Sequence, residues 1–197
     1  MPKGEKKKEK KKTEEDPDKI IAGYIEITKA HEIYTENPHD IGAVDIYSKI
    51  ANIPVEEVVA GGPVSLGLGI LEQKEKFIEK LQKNVSYEHI LKKDSETIIS
   101  LLTELPPLEL GKEKYKDLAL AHKNYFMLKL IEKKDPGEKR IFVAKYVREH
   151  YKERSKYIRV WEAADINALF IGIKLEAQRQ LMEAVAKYKK PEEKKKK

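Results

Sequence analysis

Apolar residues recur every three or four positions along most of this chain, and the gaps between runs carry residues that start or stop helices. Ile20, Ile21, Tyr24, Ile27 and Ile33 put an apolar face on a helix that Asp16-Pro17-Asp18 starts and that runs to about Tyr34. Asn37-Pro38 repeats the starting signal for a second helix, to about Ala51. Pro54 opens a short third helix that Gly61-Gly62 closes, and Pro63 to Gly69 reads as a glycine-rich hinge. Leu71, Phe77, Ile78 and Leu81 predict a helix over about 68–83. Ser86 can cap a short turn through Leu91, and Ser95 a helix over 96–104 that Pro106-Pro107 ends. Tyr115, Leu118, Leu120, Phe126, Leu128 and Ile131 share a helix over about 112–133, closed by the turn Asp135-Pro136-Gly137. No alternating run predicts a strand.

The stretch from Gly137 to Tyr188 organises the rest. It reads as one long helix or as two meeting near Tyr157, since no proline interrupts it before Pro191. From Ala163 to Leu175 apolar residues fall on nearly every face, which predicts a helix surrounded by others. Trp161, Leu169, Phe170, Ile173 and Leu181 are the expected core. The pattern therefore predicts an all-α fold, a compact bundle of about seven or eight helices around a long C-terminal helix. The expected division is a basic low-complexity tail over 1–15, a single helical domain over 16–188 and a second basic tail over 189–197.

Composition narrows the function classes. The absence of cysteine excludes disulfides and thiolate metal sites. The histidines (His31, His39, His89, His122 and His150) are never spaced as a helical metal pair, so neither metal nor cofactor is expected. No apolar run reaches the ~20 residues of a membrane span, and the lysine-rich start is no signal peptide. A soluble protein of the cytoplasm or a virion interior is expected. Charged residues make up 38% of the chain, against ~25% in ordinary domains. With abundant Lys, Glu, Ile and Tyr, that composition points to a hyperthermophilic source.

Three outlines of known motifs fail on chemistry. Asp45 to Ala60 has the outline of a helix-turn-helix, with Ala51, Ile53-Pro54 and Val58 at the structural positions. Its second helix offers Glu56 and Glu57 where base reading needs polar or basic groups, so a packed helical hairpin is the better reading. Gly61, Gly62, Gly67 and Gly69 precede a helix but are followed by Ile70-Leu71, not by the lysine and hydroxyl of a phosphate loop. A flexible joint or a close helix crossing fits them better. Glu36 and His39 have the spacing of a di-iron ligand pair, but Pro38 lies between them and no second copy exists. No nucleophile, base and acid are grouped, and an enzyme is not expected.

The positive charge is concentrated. Residues 1–12 carry seven lysines and two glutamates, as do residues 187–197, while 138–160 carry eight basic and three acidic side chains. Arg140, Lys145, Arg148, Lys152, Arg154, Lys156 and Arg159 form a basic stripe interleaved with Tyr146, Tyr151 and Tyr157. Arginine can grip phosphate through two bonds, and tyrosine can stack on a base. The tails have nothing to bury and stay disordered unless a partner orders them. These features imply a protein that coats or packages DNA or RNA without reading sequence, as a nucleocapsid or architectural protein does. Its contacts would come from the stripe, Tyr151 included, and from tail lysines Lys6, Lys7, Lys8, Lys10, Lys11, Lys12, Lys189 and Lys190. Self-association into a larger assembly is expected. The competing reading is a protein–protein scaffold or a small subunit of a larger assembly, in which the basic helix meets an acidic protein surface.

Overall fold

A computed structural model describes residues 15–153 and 161–189. Among them the chain is all-α: eight helices and no strand. The helices group into two compact units, residues 1–84 and 85–197, described here in turn.

In the first unit, α1 (Pro17–Glu36) starts where Asp16 accepts the Asp18 amide at 3.0 Å, with proline at the first helical position. Helix α2 (Ile41–Ala51) starts later than Pro38. Asp40 is its cap, and Asn52 ends it in the left-handed region at φ 55°. Helix α3 (Val55–Asn84) breaks at Gly62 alone, with φ 76° and ψ 174°, a conformation essentially restricted to glycine. Pro63 then begins the second segment. The expected hinge over Pro63 to Gly69 is therefore helical throughout. Gly67 and Gly69 serve packing instead: a methyl on Gly67 would overlap the Tyr34 ring, and one on Gly69 the Tyr47 ring. Helix α3 thus lies close against α1 and α2 over a core of Ile27, Ala30, Ala43, Val44, Val58, Leu66 and Ile70. Within the helix-turn-helix outline, α2 and α3 meet at 115°. There Val58 is buried, while Glu56 and Glu57 face outward.

Two opposing effects make Gly67→Ala a sharp test of that crossing. Alanine favours a helix interior by about 1 kcal/mol over glycine. Overpacking against the Tyr34 ring costs about 1–3 kcal/mol. Because the overlap reaches the body of the Tyr34 ring, with carbons at 2.5 and 2.8 Å, and not its hydroxyl alone, Gly67→Ala is expected to destabilise by about 1–2 kcal/mol in chemical unfolding. A gain in stability would mean that the helices do not cross here.

The second unit contains α4 (Tyr87–Leu91), α5 (Ser95–Glu104), α6 (Lys116–Glu132), α7 (Pro136–His150) and α8 (Ala163–Tyr188). Asp94 caps α5 and Asp135 caps α7, each through its carboxylate. Helix α6 starts at Lys116 because Gly111, at φ 78°, turns the chain just before it. Among the described residues, the stretch from 137 to 188 holds two α-helices, and α8 packs on α6 and α7. Lys174 reaches Glu132 at 2.5 Å, and Lys187 pairs with Asp117, tying α8 to α6. Phe170 and Leu181 are buried as expected. Trp161, Leu169 and Ile173 are only half-buried, because they line a groove. Helix α8 is not surrounded, either: Ala164, Ala168, Ile171 and Leu175 lie on an exposed face.

A buried polar chain fixes the link after α5. Tyr87 and His122 are both fully buried. The Leu108 amide donates to the Tyr87 hydroxyl at 3.3 Å, so that hydroxyl in turn donates to Nδ1 of His122 at 3.0 Å. Nε2 of His122 is then the protonated nitrogen, donating to the Leu105 carbonyl at 2.9 Å. Both ends of the Leu105-Pro106-Pro107-Leu108 segment are held by one tyrosine–histidine pair.

Candidate nucleic-acid interface

Helix α7 buries Val143 and Val147. At 100° per residue, the opposite face carries Ile141, Lys145 and Arg148, and Lys152 follows just past the helix end. All four are exposed, and Ile141 is 71% exposed. Among the described residues neither Lys145 nor Arg148 has an ion-pair partner. Lys145 and Arg148 are three apart, so their side chains leave the helix as neighbours.

The rest of the expected stripe is divided. Arg140 turns inward and is half-buried, its Nη1 donating to the Trp161 carbonyl at 3.0 Å. This bond ties the start of α7 to the approach of α8 and engages the guanidinium in structure. Lys139 lies over the Phe170 ring at 5.3 Å. Tyr151 is half-exposed, 6.5 Å from the ring of Tyr146. Lys189 donates to the Ser95 hydroxyl at 2.8 Å. Arg154, Lys156, Tyr157 and Arg159 lie outside the described residues, as do Lys6, Lys7, Lys8, Lys10, Lys11, Lys12 and Lys190.

Beside this face runs a groove of about 730 Å³ between α7 and α8. Tyr146, Tyr151, Trp161, Leu169 and Ile173 form its apolar lining, and Asp165 and Glu176 its acidic rim. Tyr146 stacks on His150 at 4.1 Å, and burial raises its hydroxyl pKa above the usual tyrosine value. Arg179, through two bonds, and Gln180 hold the Glu176 carboxyl down at about 2. That rim repels phosphate, so the basic face and the groove are chemically separate surfaces. Sequence reading missed the groove, because Trp161, Leu169 and Ile173 have core-type side chains at core-type spacing.

Charge separates by unit as well. Residues 15–84 carry 7 basic and 13 acidic side chains, a net of −6, whereas 85–189 carry 21 basic and 16 acidic, a net of +5. Among the described residues no single helix is long and apolar enough to cross a membrane. No family model matches this chain, and neither a curated protein nor a solved structure shows significant similarity to it.

Proposed function

We propose that this protein binds the backbone of DNA or RNA without reading sequence and coats or packages it. The observation that carries the reading is the outward face of α7, where Lys145 and Arg148 project side by side ahead of Lys152, within a stretch, residues 85–189, of net charge +5. Such a face neutralises phosphates and releases their counterions, and it has no contact set for base edges. Tail lysines at 6–12 and 189–190 add further attraction. Coating without sequence readout fits Glu56 and Glu57 on the helix with a reader's outline, where carboxylates repel phosphate.

The test is affinity against salt for an arbitrary duplex. Lys145→Gln with Arg148→Gln should weaken binding and lower the slope of log affinity on log salt by roughly 0.9 per lost contact. Deleting residues 1–12 should flatten the slope while leaving a bound state, because the rigid helix orders its cations at a smaller entropy cost than a free tail. An unchanged slope in the helix double variant would leave the scaffold reading. That reading has an observation of its own: Ile141, apolar and 71% exposed, sits among these cations and suits a protein partner better than phosphate.

A further inference from the structure

Helix α8 carries two apolar faces. One, through Ile166, Phe170, Ala177 and Leu181, is buried in the second unit. The other runs through Ala164, Ala168, Ile171, Leu175, Gln178 and Met182 at alternating intervals of four and three. Ile171 is 56% exposed, Leu175 is 59% exposed, and Met182 is half-buried. Over these five intervals the spacing averages 3.6 residues, so the six positions stay on one side of the helix, as a seam facing a partner helix does. The seam spans about 27 Å at 1.5 Å per residue. Gly172 borders it in mid-helix, where a methyl would meet nothing among the described residues. Its helix-propensity cost of about 1 kcal/mol has no offset among them.

We infer that α8 pairs with α8 of a second copy, antiparallel, about a two-fold axis passing near Ile173. The occupant follows from self-complementarity. In that register Ile171 packs on Leu175 of the second copy, Ala168 on Gln178 and Ala164 on Met182, each layer occurring twice by symmetry. Gly172 meets its own copy beside the axis and lets the backbones approach. Of the flanking charges, Asp165 of each helix faces Arg179 of the other, which also stays paired with Glu176 and Glu183 of its own chain. Lys174 would face its own copy, but Glu132 neutralises it at 2.5 Å within the chain. An isologous contact of this kind closes on itself and gives a dimer. It leaves the outer face of α7 free, and it stands whether or not that face binds nucleic acid.

The experiment is sedimentation of the full chain, free of nucleic acid, over a range of concentrations. The parent should pass from 22.8 kDa to twice that mass by about 100 µM. Leu175→Glu, at an exposed site, should remain monomeric with an unchanged circular dichroism spectrum. Asp165→Arg and Arg179→Asp should each weaken the dimer about tenfold by setting like charges opposite one another, and the double variant should recover most of the loss. A parent that stays monomeric throughout would overturn the proposal. So would a dimer indifferent to Leu175→Glu, or single reversals with no recovery in the double variant.

Discussion

Phe170→Ala is expected to cost the second unit about 3–5 kcal/mol, the range for truncating a buried aromatic. Phe170 is 2% exposed and meets the Phe142 ring edge-on, with centroids 6.1 Å apart and planes at 77°. The ammonium of Lys139 sits over the Phe170 ring itself, 5.3 Å from its centroid. Truncation would remove the ring that joins α7 to α8 and leave a cavity between two helices that other contacts hold apart. Chemical unfolding followed by circular dichroism measures the loss. A midpoint unchanged from the parent would mean that α7 does not pack on α8 through this ring.

Acid should destabilise the second unit through His122. Burial lowers its pKa from 6.5 to about 4, and the bond to the Leu105 carbonyl only partly opposes that shift. The folded form therefore favours neutral histidine, and the unfolded chain takes up the proton first. Stability is full above the unfolded value of 6.5 and falls as pH drops towards 4. The whole shift corresponds to about 3 kcal/mol, of which about 2 kcal/mol falls between pH 7 and pH 5, where most carboxylates remain charged. Protonation would also turn Nδ1 from acceptor to donor and break its bond from Tyr87, whose hydroxyl burial already pushes up to about 12. Unfolding free energies at pH 7 and pH 5 should show this drop in the parent and a much smaller one in His122→Gln. Equal drops would place the acid sensitivity elsewhere.

Helix starts were legible in the sequence, because an aspartate before proline or before an apolar run has one local meaning. Asp16 caps as expected, and Asp135, read as part of a turn, caps α7. Asp40 and Asp94 took the caps anticipated at Asn37 and Ser95, since a carboxylate two or three residues before an amide was better placed. Less legible was which neighbour each face meets. Gly67 and Gly69 looked like a hinge because glycine signals both mobility and close approach, and only the rings of Tyr34 and Tyr47 decide between them. Arg140 had the spacing of a surface stripe, yet the Trp161 carbonyl draws it inward from 21 residues away. The excess of apolar positions on α8 was visible, but periodicity cannot tell a surrounded helix from one with a second open face. For the basic face, Lys145 and Arg148 were identified by type and spacing, and their outward direction follows from Val143 and Val147 on the opposite side.

The position of α8 in the chain also orders events during synthesis. Among the described residues the first unit is built from three helices consecutive in sequence, so their shared core is all present once residue 84 has left the ribosome. The second unit cannot close so early. Its contacts reach far back along the chain: Lys174 to Glu132 spans 42 residues and Lys187 to Asp117 spans 70. Loop-closure entropy must be overcome before such contacts form, so they come late. Until α8 is made, Val143, Val147 and Leu128 lack part of their cover, and the nascent chain carries a finished acidic unit ahead of an unfinished basic one. Vectorial folding, acidic half first, is thus written into the helix order.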